Sequence, residues 1–253
     1  MPAAPPCLVP NIDSIRALVD FPSSYSVIPF GVDAVDARLA GPGLRKGALH
    51  EAVAQSCALV DDAAATLFLA GIAARVAQQS GRPTLWASCR NDLYAPGLAE
   101  AGLVSANVIH AQPRDDAALL AIVEDAVRDG TPSAVIAEAG KVPMVATRRL
   151  QLTAADADIP VLLLRRRRKP NQDPLLEPSA AWTRWQIGST PSERLAVAGV
   201  GRPRWSVELV RQRGGEPFSI ILEGCDETGR LAVPAVSAYR TVEAAGTARH
   251  KAA

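Results

Sequence analysis

The 253-residue chain is short of lysine. Only Lys46, Lys141, Lys169 and Lys251 stand among its 27 basic side chains, and none lies between Lys46 and Lys141. Aromatic residues make up 4%, and the four cysteines (Cys7, Cys57, Cys89, Cys225) and three histidines (His50, His110, His250) are scattered. That scatter excludes a disulfide framework and a zinc module, and no Ser/His/Asp or Cys/His set offers a nucleophile with its base. No catalytic residue, metal ligand or cofactor site is therefore expected. No apolar run approaches the roughly 18 residues that cross a bilayer. The first ten residues carry prolines instead of the basic n-region of a signal peptide. The expectation is a soluble, cytoplasmic chain with no membrane contact.

What is present is a globular balance: 48% hydrophobic, 21% charged and a net charge of +1. Disorder of the whole chain is excluded, because a disordered chain is poorer in apolar residues and carries more net charge. The charge is uneven. Residues 1–164 hold 12 basic and 17 acidic side chains, whereas residues 165–253 hold 15 and 9. Such segregation fits an anionic partner for the second part, although the neutral total argues against strong nonspecific DNA binding. Solvated arginines without a partner are the plainer reading.

Residues 1–46 read as an N-terminal arm. Asn11 is a helix N-cap, followed by Ile12, Ile15, Leu18 and Val19 on one face. Val32, Val35 and Leu39 mark a second short helix that Gly41-Pro42-Gly43 ends. Helices this short do not stand alone in water, so each must dock, on the chain's own core or on a partner. From residue 47 the pattern alternates. Residues 48–53, 84–88, 108–111, 134–137 and 161–164 read as strands, and 63–79, 95–101, 115–129 and 145–157 as helices. Alternation of this kind implies an α/β fold, a mostly parallel sheet with helices on both faces. Residues 182–187, 205–213 and 217–223 then follow as strands without an intervening helix. Within residues 182–235 they should form an antiparallel extension, with Gly214-Gly215 as a hairpin turn. The core thus spans 47–235, and the alanine-rich residues 236–253 read as a disordered tail.

The first strand, loop and apolar helix stand where a mononucleotide fold keeps its phosphate loop. Such a loop needs glycines, so that backbone N–H groups reach the phosphates, and a lysine to neutralise their charge. Residues 54–63 hold no glycine and no lysine, but two aspartates, Asp61 and Asp62. This degenerate loop does not support ATP hydrolysis. Glu138, at the end of the fourth strand, stands where such folds place a metal-binding carboxylate; without a phosphate loop it reads as a hydrogen-bonded or surface residue. His50 and Glu51 are adjacent on a strand, face opposite sides and cannot act together.

Arg165, Arg166, Arg167, Arg168 and Lys169 follow the fifth strand at the sheet edge where open α/β folds bind ligands. They are candidates for contact with phosphates or with an acidic protein surface, against a solvated strand end as the bland alternative. Trp182, Arg184 and Trp185 interleave aromatic and basic character in the manner of interaction hot spots. On a regular strand only one of the two tryptophans faces the core, which leaves the other as the contact candidate.

Several blocks carry a resemblance: residues 43–51 (GLRKGALHE), 63–68 (AAATLF), 92–98 (DLYAPGL), 148–152 (RRLQL), 162–166 (LLLRR), 211–217 (RQRGGEP) and 224–231 (GCDETGRL). In order they resemble RecA stripped of its ATPase, and more closely the ImuA family, RecA- and SulA-related proteins of bacterial damage-inducible mutagenesis cassettes. The resemblance covers about residues 40–235 and implies a RecA-like fold. It places RecA's P-loop glycine and lysine near 63–66 and RecA's catalytic glutamate at about Arg90, a reversal of charge. The first DNA-binding loop, after Glu138, is cut to a few residues, whereas the second corresponds to about 165–181 and stays basic. The implied role is non-catalytic support of error-prone translesion synthesis. The implied partners are an ImuB-type inactive Y-family polymerase relative, an error-prone C-family DNA polymerase and RecA. Ile12, Ile15, Leu18 and Val19 are the candidate RecA-docking face. The alternative role is that of a SulA-like inhibitor of a tubulin-like division protein.

Overall fold

The computed structural model describes residues 25–167, 169–192, 199 and 201–234. An eight-stranded sheet runs in the order β10-β9-β8-β3-β7-β6-β4-β5. Its parallel part comprises β3 (Leu49–Ala54), β4 (Thr84–Ser88), β5 (Val108–Ala111), β6 (Ala134–Ala139), β7 (Val161–Arg165) and β8 (Thr183–Thr190). The hairpin of β9 (Arg204–Gln212) and β10 (Phe218–Glu223) extends it in antiparallel fashion around Gly214, as expected. One expectation is corrected. β8 pairs with β3 in parallel, because the chain between β7 and β8 recrosses the sheet by way of residues 166–182. Parallel neighbours need a long crossover, and here an extended loop with a single 3-10 turn (Pro174–Leu176) replaces the usual helix.

Two layers of helix cover the sheet. Helix α2 (Leu59–Ser80) lies on one face, apolar almost all round because it is sandwiched. Beneath it lie Trp185, Trp205, Val207 and Leu209, and residues 224–231 close over its outer side. The approach there is tight: a Cβ on Gly71 would stand 2.1 Å from Cys225 Sγ. The same face receives α1 (Asp33–Asp36), α3 (Ala95–Glu100) and a two-residue ribbon, β1 (Val27–Ile28) with β2 (Leu44–Arg45), which the sequence did not announce. Phe30, Phe68, Trp185 and Phe218 meet there at centroid separations of 5.6–6.0 Å, within the range of favourable ring pairing. Helices α4 (Asp116–Asp129) and α5 (Met144–Ala157) cover β4, β6 and β7 on the opposite face.

Candidate functional site

The C-terminal ends of β3, β4, β6 and β7 meet around a cleft of about 410 Å³, lined among others by Cys57, Cys89, Arg90, Glu138 and Arg166. Helix α2 begins at Leu59, earlier than the expected residue 63, so the loop after β3 shrinks to residues 55–58. The aspartates of its first turn are both engaged. Asp61 accepts from Ser56 Oγ at 2.5 Å and from the Ser189 N–H at 2.7 Å, which ties the helix start to β8. Asp62 pairs with Arg166.

Arg166 is the central group. It leaves the end of β7 and donates through Nε to Glu138 at 2.9 Å, through Nη2 to the same carboxylate, and through Nη1 to Asp62. Glu138, 4% exposed, also accepts from the Trp86 indole at 2.5 Å. Burial disfavours the guanidinium charge, but Glu138 and Asp62 outweigh it and raise the Arg166 pKa above its ordinary value. Charge-assisted pairs of this geometry are strong and directional. Glu138 is thus a hydrogen-bonded residue, as the sequence suggested. Arg90, at the position assigned to a reversed catalytic glutamate, turns to Asp92 at 2.5 Å.

A nucleotide, which RecA-like folds commonly hold at this edge, does not fit these residues. The loop has no glycine to bring its N–H groups forward, two carboxylates face the space, and the nearest buried cation is already committed to both. Phosphates would meet the Asp62 and Glu138 carboxylates, and among the described residues the cations lining the cleft, Arg90, Arg166 and Arg167, are each paired with a carboxylate.

The candidate cationic surface is corrected by the same geometry. Arg165 is fully buried, pairs with Glu177 at 2.5 Å and lies 3.7 Å from Glu51. Arg184 is buried too, donating to Glu51 at 2.7 Å and to the carbonyls of Leu175 and Pro174 at 2.8 and 3.0 Å. Ser179 Oγ completes the Glu51 carboxylate at 2.6 Å. Arg167, half-buried, reaches Asp173 at 3.1 Å and the Ala54 carbonyl at 3.3 Å. These arginines pin residues 170–181 to the sheet instead of projecting toward a ligand. Of the run, Lys169 is exposed, and Arg168 lies outside the described residues.

Both tryptophans are buried as well. Trp185 sits among the aromatic rings and donates to Thr183 Oγ1 at 2.8 Å, while Trp182 is held between the guanidinium groups of Arg45 and Arg213, 4.4 and 5.4 Å from its centroid. Trp182 precedes the regular strand, so the alternation rule never governed it. A signal for buried cations was available: one glutamate in each of two fully buried strands, LHEAVA and AVIAEA, demands a compensating charge. His50 and Glu51 do diverge. His50 contacts Thr183 Oγ1 at 2.7 Å and the Arg45 carbonyl at 2.8 Å, and burial pushes its pKa down to about 4 against the opposing pull of that carbonyl. Ile12, Ile15, Leu18 and Val19 lie outside the described residues. Among the described residues no cluster of metal-ligating side chains occurs, and no helix is long and apolar enough to cross a membrane.

Fold and site together define a protein of RecA-like fold in which Asp62, Arg166 and Glu138 pair at the C-terminal ends of the strands. The fold is similar to that of the RadB recombinase, with a TM-score of 0.56 over 82% of this chain and 99% of that one; at 12% identity the likeness is one of fold alone. No family model matches the sequence. Protein ImuA of Caulobacter vibrioides strain NA1000 / CB15N is 34% identical over 202 residues, which cover 78% of this chain and 83% of the relative. Protein ImuA of C. vibrioides strain ATCC 19089 / CIP 103742 / CB 15 gives the same figures. The chain belongs to the ImuA family.

Proposed function

We propose that this chain is a non-catalytic, RecA-like accessory protein of a damage-inducible mutagenesis cassette, which supports error-prone translesion synthesis through protein–protein contacts. The observation that carries this reading is the Asp62–Arg166–Glu138 bridge across the phosphate position. A fold that spends its one central cation on two internal carboxylates keeps the architecture of a nucleotide-binding protein for its surfaces. Family membership supports the cassette. The partners that follow are an ImuB-type inactive polymerase relative, an error-prone C-family polymerase and RecA. With Arg165, Arg166 and Arg184 turned inward, Lys169 is the exposed member of the described candidate cations, which supports protein contact over direct DNA contact.

Two measurements test it. Titration with a fluorescent ATP analogue is expected to give no saturable binding up to millimolar nucleotide. Affinity purification of the tagged chain after DNA damage is expected to recover polymerase subunits. Saturable hydrolysis of ATP, or a tubulin-like division protein as the recovered partner, would overturn the reading; the latter result favours division inhibition.

A further inference from the structure

The large apolar side chains that stand furthest out of the fold are gathered at one end of the sheet. Leu59, Val60, Tyr94, Val145 and Leu176 are between 62% and 84% exposed, and all five stand on segments that follow the C-terminal ends of β3, β4, β6 and β7. Among the described residues the next such side chain, Leu152, is 57% exposed. Apolar groups scattered singly over a surface need no explanation, whereas their concentration at one end marks a contact surface. Four of the five lie on a connected path along the strand ends. Leu59 lines the cleft, beside Val60 in the first turn of α2. Cys57 Sγ contacts the Arg167 carbonyl at 3.7 Å, and Arg167 reaches Asp173, which caps the 3-10 turn that carries Leu176. Further along the crossover loop, the Ala180 N–H donates to Thr147 Oγ1 at 3.1 Å, in the turn of α5 that holds Val145.

Charge at this end is one-sided. Around the cleft, Asp62 and Glu138 are spent on Arg166, and Asp116 accepts from the Lys141 N–H at 2.9 Å. Beyond it, Asp173 pairs with Arg167 and Glu177 with Arg165. The side chains of Lys141, Arg148 and Lys169 are exposed and form no ion pair among the described residues. Positive charge is therefore left over beside the aliphatic groups.

We propose that this end of the sheet is a docking surface for an acidic segment of a partner protein that carries large aliphatic side chains. The proposal rests on the reading of the chain as a protein-contact accessory, and it names the surface and the chemistry of what binds there. The partner's aliphatic side chains cover Leu59, Val60, Val145 and Leu176, which removes apolar surface from water. Its carboxylates answer Lys141, Arg148 and Lys169, which steer the encounter and fix the orientation. Two other occupants suit the surface less. Single-stranded nucleic acid is held on aromatic platforms where bases stack, and the four connected side chains are aliphatic. A second copy of this chain, docked face to face, sets the three unpaired cations against their own kind.

The test uses the purified full chain and a fluorescein-labelled synthetic peptide of about 15 residues, with leucine at every third or fourth position and glutamate or aspartate between. Fluorescence anisotropy is expected to show saturable binding. It should be at least about tenfold tighter than that of the same peptide with lysine in place of its acidic residues, or with serine in place of leucine. The pair Leu59→Ser and Leu176→Ser should weaken binding at least about fivefold, and so should the pair Lys141→Glu and Lys169→Glu. Ile221→Ser, on the far edge strand β10, should leave it unchanged. All five substituted positions are exposed, so none of the variants disturbs the core. The chain with Leu59→Ser and Leu176→Ser is also expected to lose the polymerase subunits in affinity purification after DNA damage. Absence of saturable peptide binding, equal weakening by Ile221→Ser, or tighter binding of single-stranded oligothymidylate that the lysine pair abolishes would overturn the proposal. Undiminished recovery of the polymerase subunits by the leucine pair would overturn it too, while leaving the proposed function in place.

Discussion

Arg165 and Arg166 are neighbours in sequence and opposites in structure. Arg165 ends β7 on the α5 side, where it joins Arg184, Glu51, Ser179 and Glu177 to hold the crossover loop against the sheet. Arg166, one residue on, turns to the α2 side and spans Glu138 and Asp62. The first network substitutes for a helix: the crossover from β7 to β8 carries only one 3-10 turn, so buried ion pairs anchor it. The second neutralises two carboxylates, Asp62 and Glu138, that line the cleft at the strand ends. One run of arginine thus serves connectivity on one side of the sheet and the pairing of two cleft carboxylates on the other.

The loop anchor should break hardest. Glu51 is fully buried and is the acceptor that Arg184 and Ser179 share, with Arg165 at its edge. Glu51→Gln keeps the shape but leaves buried guanidinium charge uncompensated, for which a loss of about 3–5 kcal/mol is expected in urea unfolding. Limited proteolysis should then cut within residues 170–181 before anywhere else in the core. A loss below about 1 kcal/mol would show that solvent reaches this network.

The site closure is expected to follow. Arg166→Met strands Glu138 with only the Trp86 indole as donor and should cost about 3 kcal/mol. Because Asp62 is a quarter exposed, water can compensate it, so the buried carboxylate sets the loss. Adding Glu138→Leu should then recover stability to within about 1 kcal/mol of the unaltered chain, as replacement of a whole buried pair by apolar groups generally does. If the double variant stays as unstable as the single one, Asp62 and not Glu138 is the carboxylate that needs the cation.

The contrast between the two networks also marks how far the sequence could be read. The alternation of apolar strands and helices, the hairpin at Gly214-Gly215 and the divergence of His50 from Glu51 were all legible, because each depends on neighbours within a few residues. The strand glutamates signal buried cations, but which arginines meet them was not legible. Glu51 meets Arg184 133 residues away, and Glu138 meets Arg166 28 residues away. A run of five cations reads as surface when its carboxylates lie on strands that only the sheet order brings alongside. The parallel entry of β8 escaped for a related reason: residues 166–182 carry no helical periodicity, and the crossover is visible only through the ion pairs that hold it.

A titration separates the face of β3 that bears Glu51 from the one that bears His50. His50 is folded as a neutral imidazole with its pKa near 4, whereas the unfolded chain has the ordinary value near 6.5. As pH falls from 6.5 toward 4 the unfolded state takes up the proton first, so stability is lost across that window and is intact above it. The loss amounts to roughly 3 kcal/mol by pH 4, at 1.36 kcal/mol for each unit between the two values. His50→Gln should flatten the stability profile between pH 6.5 and 5, whatever its offset at neutral pH. An unchanged slope would mean that the imidazole takes up its proton in the fold, against its burial.

The smallest effect belongs to the third arginine of the run. Arg167 is neither as deeply placed as Arg165 nor shared between two carboxylates: it reaches Asp173 at 3.1 Å and the Ala54 carbonyl at 3.3 Å. Its side chain is 11% exposed, but that of Asp173 is 33% exposed, so solvent screens the pair. Arg167→Ala should therefore cost about 1 kcal/mol. In a double-mutant cycle with Asp173→Ala the coupling should stay below about 1 kcal/mol, because Asp173 also caps the 3-10 turn through the Leu175 N–H at 3.0 Å and keeps that role without the arginine. A coupling as large as that expected for Arg166 with Glu138 would place Arg167 among the anchors and move the division between loop-holding and site-closing arginines one residue further along the chain.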